Sequence, residues 1–187
     1  MLSINPQEIS TKKLHSYLLG AVAPRPIAFA STVDMDGNPN LSPFSFFNVF
    51  GANPPILIFS PARRVKNNTT KHTLDNALAT KQVVINVVNY AIVQQMSLSS
   101  SDYPQGVNEF EKAGFTMLPS EKIQPFRVAE SPVQFECKVN DVIFTGEKGG
   151  AGNLIVCEVL KIHICARVLA YDGCIAQHNI DLVARAG

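Results

Sequence analysis

Small polar side chains recur in an otherwise aromatic segment, "NLSPFSFFN", at residues 40–48. Residues two apart in an extended chain share a face, so Asn40, Ser42 and Phe44 line one side. Pro43 has no N–H for a strand ladder, which predicts an edge or bulged strand with free main-chain groups. Such groups can hydrogen-bond the polar rim of a flat heterocycle, while serine permits close approach and phenylalanine forms apolar walls. The alternative is an exposed strand whose Ser and Asn side chains simply face water.

A second group of candidate ligands follows in "FSPARRVKNNTTKHTLDN". It carries Ser60 at a strand end, Arg64 in a basic cluster, and Lys71 and Thr73 at the start of a predicted helix. A helix N-terminus offers unpaired N–H groups and partial positive charge, and neighbouring cations and hydroxyls strengthen its binding of a phosphate. A solvated basic loop before an ordinary capped helix is the alternative. Taken together, the two segments predict a phosphorylated flat cofactor.

Motifs for other chemistries are missing from the sequence. It contains no H-E-x-x-H, G-x-S-x-G or Walker A motif, and no G-x-G-x-x-G follows a strand. The histidines are scattered, and we expect His163 to be structural. Carboxylates are few and unpaired in the polar strands. The sequence therefore offers no acid–base pair, and we assign no catalytic residue.

Strands dominate the chain that must position these groups. Alternating or β-branched runs include "IAFAST", "PILIFS", "QVVINVV" and a long pair flanking "GEKGGAGN". Helical patterning is confined to "TKHTLDNALATK", which Thr70 or Thr73 could cap, and to "YAIVQQMSLSS" and "VNEFEKAG". Many strands with few helices predict a mainly antiparallel sheet, closed or partly closed into a barrel to protect its edges. The length of 187 residues suits a single domain spanning 1–187.

Composition limits the expected partners and compartment. The chain is 46% hydrophobic and 17% charged with a net charge of +1, which is typical of a globular protein. It has no long Lys/Arg run of the kind that binds nucleic acid. Because no signal peptide or membrane-spanning run is visible, we expect a cytoplasmic protein that does not bind membranes. The four cysteines form no C-x-x-C pair, and we expect them to be reduced and buried.

The run "VAPRPIAFASTVDMDGNPNLSPFSFFNVFGANPPILIFSPARR", followed by "KHTLDNA", closely resembles the flavin reductase-like FMN-binding proteins. This family includes flavoredoxin and the reductase components of two-component monooxygenases. The shared features are "PRPIAFAST", a D-x-x-G-x-x-N turn, "SPFSFFN", "NPP" before an apolar strand, and K-x-T-x-x-N at a helix start. The resemblance implies an FMN-binding split β-barrel with a few short helices, present as a homodimer.

Matched by position, the family pattern implies a set of cofactor contacts. Ser31 and Thr32 would lie along the ribityl chain or phosphate of FMN. The implied contacts of the isoalloxazine ring, largely through main-chain groups, are Asn40, Ser42, Pro43, Phe44 and Ser45. The implied contacts of the phosphate are Ser60, Arg64, Lys71 and Thr73. One departure lies at His72, where the family carries Asp in a Lys-Asp-Thr triplet.

The resemblance leaves two functions open. The first is an NAD(P)H-dependent flavin reductase, which stacks a nicotinamide on bound FMN, takes its hydride and passes electrons to free flavin or another acceptor. The second is a non-catalytic electron carrier of the flavoredoxin type, which binds FMN and docks onto redox partners. Because the cofactor carries the chemistry, neither function needs an acid–base pair, and the residues do not separate them.

Overall fold

One antiparallel sheet of seven strands organises the chain. The computed structural model describes residues 1–101, 103–104 and 106–187. The strands are β1 (Ala28–Val33), β2 (Pro39–Phe44), β3 (Phe47–Ala52), β4 (Pro55–Phe59), β5 (Gln82–Val87), β6 (Met117–Leu118), β7 (Arg127–Val128), β8 (Val133–Phe144) and β9 (Asn153–Ile164). The large sheet has the order β2-β1-β5-β8-β9-β4-β3, and β6 pairs separately with β7.

A short connection between the two edge strands forces the large sheet to curl. β2 ends at Phe44 and β3 begins at Phe47, although these strands lie at opposite ends of the strand order. Only Ser45 and Phe46 join them, so the sheet bends until its edges approach each other. The two edges do not pair within the described part of the chain, which makes the barrel split rather than closed. This is the mainly β, split-barrel architecture expected from the sequence.

Short helices cover the sheet, and the three expected ones are present. The helices are α1 (Thr11–Ala21), α2 (His72–Thr80), α3 (Val93–Ser99), α4 (Glu109–Ala113) and α5 (Gln177–Ile180), with 3-10 turns at Pro6–Glu8, Tyr90–Ile92 and Ala166–Val168. The expected cap of α2 is wrong, because Lys71 occupies the N-cap position and makes no side-chain capping bond. The sequence patterning does not include α1, a helix none of whose residues is buried. Among the described residues, no helix is long and apolar enough to cross a membrane.

Apolar side chains pack against both faces of the curled sheet. β1 is fully buried, and its alternate residues belong to two different core clusters. Ala28 and Ala30 pack inside the barrel with residues of α2, whereas Phe29 packs outward with residues of α3 and α4. Phe29 and Phe115 meet edge to face, with ring centroids 5.3 Å apart. The helices therefore hold the outer face of the sheet beside its β2 edge.

The cysteines divide into two environments. Cys137 and Cys157 are fully buried on β8 and β9, and burial raises the pKa of both thiols. The expectation of burial is wrong for Cys165 and Cys174, which are exposed. Both follow the last strand of the sheet, in irregular chain that no other layer covers. All four are free cysteines, as expected.

A buried carboxylate on β8 pins the irregular segment between β6 and β7. Glu136 is fully buried and accepts hydrogen bonds from the main-chain N–H groups of Glu121, at 2.9 Å, and Lys122, at 2.7 Å. Its Oε1 lies 2.6 Å from His163 Nε2 and 3.9 Å from Arg127 Nε. Burial raises the pKa of Glu136, but the hydrogen bonds from Glu121, His163 and Lys122 outweigh burial and hold the pKa below its ordinary value of 4.5. His163 thus has a structural partner.

We expect the unfolding free energy of the Glu136→Gln variant to fall less steeply with decreasing pH than that of the wild type. Because the pKa of Glu136 is lower in the folded state, its stabilisation is present above the unfolded value of 4.5 and is lost as the pH falls through the folded pKa. At neutral pH the variant should lose about 1–3 kcal/mol of unfolding free energy, because the buried donors lose a charged acceptor. Urea unfolding over a series of pH values measures both effects.

The matched control for this measurement is Glu147→Gln, which removes an exposed carboxylate from the turn between β8 and β9. This control should keep the wild-type dependence of unfolding free energy on pH. If Glu136→Gln lost stability with acid as steeply as the wild type does, Glu136 would not be the group that titrates. Its hydrogen bonds to Glu121 and Lys122 would then have no part in acid unfolding.

Candidate functional site

A groove opens at the split, where the end of β2 faces the end of β4. The Ser60 N–H donates to the Phe46 carbonyl at 2.9 Å and extends the pairing of β3 with β4 into the connection that follows β2. The groove has a volume of about 270 Å³ and adjoins a second cavity of about 290 Å³ that also contacts Pro43, Phe44 and Ser45. Among the residues expected to bind the cofactor, the groove contacts Ser42, Pro43, Phe44, Ser45, Ser60 and Lys71. The structure therefore brings these six together.

β2 borders the groove as an edge strand. It pairs antiparallel with β1, with Ser42 opposite Ala30 and Pro43 opposite Phe29, and with no other strand in the described chain. This position explains the tolerance of Pro43 and confirms the edge strand expected from the sequence. Ser42 and Ser45 are half-buried, so little side-chain bulk stands in front of the main chain. The groove is thus bordered by main-chain groups that a flat ligand can approach closely.

A basic pocket extends the groove at the N-terminus of α2. This small cavity of about 30 Å³ is lined by Asn40, Ser42, Arg64, Lys71 and Thr73, among others. Arg64 Nη1 donates to Thr69 Oγ1 at 3.3 Å and to the Thr70 carbonyl, which holds the guanidinium beside the start of the helix. Lys71 is the N-cap residue of α2. Two cations beside free helical N–H groups form a setting that favours a phosphate.

A buried hydrogen-bond network fixes β2 relative to this basic pocket. Glu109 of α4 accepts from Asn40 Nδ2 at 2.9 Å and from the Leu41 N–H at 3.1 Å. Asn40 Oδ1 in turn accepts from Thr73 Oγ1 at 2.7 Å. Burial raises the pKa of Glu109, although its hydrogen bonds from Leu41 and Asn40 act in the opposite direction. The side chains of Asn40 and Thr73 are therefore engaged within the protein, beneath the small cavity.

Two of the expected contacts lie away from the groove. Ser31 and Thr32 are fully buried on β1, the strand behind β2, and neither lines the groove or the cavities next to it. Thr32 Oγ1 accepts a hydrogen bond from Asn76 of α2 at 3.1 Å. Ser31 Oγ has no hydrogen-bond partner among the described residues. Since β2 stands between β1 and the groove, the structure does not place these two side chains with the other nine residues.

Sequence reasoning missed four residues at this site. His15 and Arg25 line the groove, as does Arg185 from the C-terminal segment. Arg25 lies within the "PRPIAF" run, so the resemblance contained a signal for it that the spacing of ligand types did not. Glu109 carried no signal, because it acts on Asn40 from 69 residues away in the chain. Only the folded chain shows that these positions are neighbours.

The electrostatics of the groove favour a ligand with negative charge. Arg25 and Arg185 line the groove near one end of β2, and Arg64 and Lys71 line the adjoining basic pocket. Glu109 also lines this pocket, where its carboxylate accepts hydrogen bonds from Asn40 and the Leu41 N–H. No Asp or Glu of the described chain lines either of the two larger cavities. The described residues also include no group of three or more His, Cys, Asp or Glu side chains that could hold a metal ion.

Residues 20–173 match the model of the flavin reductase-like domain, so the chain belongs to the flavin reductase-like family. This membership confirms the resemblance drawn from the sequence, and it supports a flavin as the cofactor of an oxidoreductase. An uncharacterised protein of Aquifex aeolicus is 42% identical over 133 residues, covering 71% of this chain and 67% of the relative. A second uncharacterised relative, from Halalkalibacterium halodurans, is 37% identical over 186 residues, covering 98% and 88% of the two chains.

Solved structures share the whole architecture. Nitrilotriacetate monooxygenase component B from Bacillus cereus superposes with a TM-score of 0.93 at 30% identity, covering 100% of this chain and 93% of that one. Two further neighbours are less than 25% identical to this chain, so their similarity shows the fold alone. A split-barrel flavin reductase of Shewanella frigidimarina has a TM-score of 0.83 at 24% identity, covering 100% and 92% of the two chains. Flavoredoxin of Desulfovibrio vulgaris has a TM-score of 0.75 at 19% identity, covering 88% and 83%.

We expect side-chain size at position 42 to matter more than its hydroxyl for flavin binding. Ser42 lines both the groove and the basic pocket, so Ser42→Leu should abolish flavin binding by filling the space beside the β2 main chain. Ser42→Ala should cost only about 0.5–1.5 kcal/mol of binding free energy, the value of one ordinary hydrogen bond. Flavin content and a thermal melt of each purified variant measure the two effects. Full flavin occupancy in a folded Ser42→Leu protein would show that β2 does not border the ligand.

Proposed function

We propose that the protein is an NAD(P)H-dependent oxidoreductase that binds FMN in the groove at the split and passes electrons to free flavin or another acceptor. One observation supports this most strongly. The open edge of β2 ends beside a basic helix N-terminus, as a flat ring joined to a phosphate requires. Bound flavin supplies the electron chemistry, while the chain binds the phosphate, orients the ring and leaves its exposed face accessible.

The residues present fit FMN. Ser42 and Ser45 leave the β2 main chain open to the rim of a ring, and Phe44 and Phe46 add apolar contact surface. Lys71 and Arg64 of the basic pocket, together with the N–H groups at the start of α2, can bind the phosphate of FMN. The pocket at this end has a volume of only about 30 Å³, which favours a terminal phosphate over the adenosine that FAD would add.

Space beside the groove favours a reductase over a carrier. The second cavity, of about 290 Å³, meets the groove along Pro43, Phe44 and Ser45. It is lined by apolar side chains of α3 such as Val93 and Met96, which suit a second planar ring. Two adjoining chambers give a nicotinamide room to lie against the flavin, as hydride transfer requires. The neighbour at 30% identity is a monooxygenase component, which also supports delivery of electrons to another acceptor.

The experiment that tests this function is anaerobic addition of NADH or NADPH to the flavin-loaded protein. A reductase bleaches the absorbance of its bound FMN at a rate that saturates with the nicotinamide concentration. If dithionite bleaches the bound FMN but neither NADH nor NADPH does, the protein is an electron carrier instead. Absence of any FMN binding would reject both functions.

We expect FMN to bind more tightly than riboflavin, because only FMN carries a phosphate for the basic pocket. Lys71→Ala should weaken FMN binding by about 1–3 kcal/mol through loss of a charge-assisted hydrogen bond. It should leave riboflavin binding unchanged. Lys66→Ala is the matched control, since Lys66 is an exposed lysine of the same loop that lines neither cavity. Quenching of flavin fluorescence measures each affinity, and equal affinities for FMN and riboflavin would contradict the phosphate assignment.

We also propose a homodimer, because large apolar side chains remain exposed on the strands. Leu160, Ile162 and Ile164 alternate along β9 with 43%, 49% and 40% of their surface exposed. Val49 and Phe50 on β3 are 64% and 63% exposed. Exposed aliphatic residues that alternate along β9, together with exposed apolar residues on the edge strand β3, form a surface that a second subunit would cover.

Light scattering at micromolar protein concentration should therefore give twice the mass of one chain. The double change Phe50→Ser with Ile162→Ser should shift the protein toward the monomer, because it removes apolar area from both strands. Tyr171→Ser is the matched control, since Tyr171 is fully exposed in a turn outside the sheet. A wild-type protein with the mass of a single chain would overturn this proposal.

A further inference from the structure

Arg25 is a buried cation whose hydrogen bonds are incomplete. Only 6% of its surface is exposed. Its Nη1 donates to the main-chain carbonyls of Leu19, at 2.9 Å, and Val22, at 2.5 Å, and its Nε donates to Ser45 Oγ at 3.3 Å. Its Nη2 is shielded from solvent and has no hydrogen-bond partner among the described residues. The guanidinium therefore lines the groove with an Nη2 group that can still donate hydrogen bonds.

The charge of Arg25 is also unbalanced within the protein. All its hydrogen-bond acceptors are neutral, and the ion pairs of the described chain include none with Arg25. Burial of a cation without an anion is costly, so such a group usually faces a bound negative charge. Capping the carbonyls at the end of α1 uses Nη1, and the partial negative charge of that helix end offsets part of the charge, but Nη2 has no partner among the described residues. A ligand in the groove is the remaining source of an anion.

Arg25 and the basic pocket stand toward opposite ends of β2. The pocket with Arg64 and Lys71 meets β2 at Asn40, whereas Arg25 meets the chain just past Phe44. A strand advances about 3.3–3.4 Å per residue, so Asn40 and Ser45, five residues apart, are at most about 17 Å from each other. A phosphate at Lys71 would therefore leave the far end of the ligand, the ring, beside Arg25.

We propose that Arg25 is the charge partner of the reduced flavin ring and raises the midpoint potential of bound FMN. This inference rests on the proposed function. Hydride transfer breaks a C–H bond of the nicotinamide and carries two electrons and one proton to the neutral ring. The nicotinamide becomes a cation, and the ring carries one negative charge until it takes a proton from water. A buried arginine keeps its charge and has spare N–H donors, so it stabilises the reduced ring more than the neutral oxidised one.

The test compares Arg25→Gln with Arg25→Lys, both loaded with saturating FMN, by anaerobic spectroscopic redox titration. We expect Arg25→Gln to lower the ratio of the affinity for reduced FMN to the affinity for oxidised FMN at least tenfold compared with the wild type. A tenfold change corresponds to a fall of about 30 mV in the midpoint potential of a two-electron couple. Arg25→Lys should keep most of the wild-type potential, because it keeps the charge. Lys12→Gln is the matched control, since it removes an exposed cation of α1 that does not line the groove and should change the potential little.

A purely structural role for Arg25 would give a different pattern. As a cap of α1 alone, it would lower the melting temperature in both variants and leave the midpoint potential of bound FMN unchanged, which would overturn the inference. An equal fall of the potential in Arg25→Lys and Arg25→Gln would also overturn it, because charge would not be the cause. If Arg25→Gln did not fold, Arg25→Met, which keeps the packing of the side-chain stem, would replace it. A wild-type protein that binds no FMN would reject the proposed function itself.

Discussion

The two-residue connection between β2 and β3 is the constraint on which the rest of the structure depends. These strands are the outer edges of a seven-stranded sheet, yet only Ser45 and Phe46 separate them in the chain. A twisted sheet can satisfy that connection only by curling until its edges approach each other. Because the edges meet without pairing, the barrel keeps an open seam, and main-chain groups of β2 remain available there. The groove is the consequence of this unfinished closure.

An edge strand with free main-chain groups needs other interactions to hold its position. Glu109 supplies them at one end of β2, through its bonds to Asn40 and the Leu41 N–H, and Asn40 links onward to Thr73 of α2. Arg25 supplies them at the other end, through Ser45. Both groups carry or can carry charge in a buried setting, where a satisfied hydrogen bond gains strength and an unsatisfied one costs more. The strand that borders the groove is therefore fixed by buried polar contacts as well as by its ladder with β1.

The same arrangement suits the proposed redox function, which needs no acid–base pair in the protein. The groove offers a main-chain edge for the ring, cations toward both ends and an adjoining apolar chamber. These features position rings and balance charge, which is what a flavin protein contributes while the cofactor supplies the reaction. Carboxylates near the groove, such as Glu109, serve the framework. The family to which the chain belongs fits this division of labour.

The sequence by itself determined the features that local chemistry controls. Alternating strands gave the mainly β class, and Pro43 identified an edge strand because it lacks an N–H. The pattern of apolar residues located α2, and with it the basic helix start that holds Lys71. Family motifs then supplied the flavin and most of the residues around the groove. Each of these inferences needs only neighbouring residues or a recognisable run.

Only the tertiary structure decided which side chains face the groove, because that depends on strand order and on contacts between distant parts of the chain. Ser31 and Thr32 look like ligands along the sequence, but β1 lies behind β2 and its side chains enter the core. Glu109 looks like an ordinary residue of a short helix, but the fold buries it against Asn40. Arg25 likewise reaches Ser45 because β1 and β2 pair with Ala28 opposite Phe44, a register that the spacing of ligand types along the chain does not show.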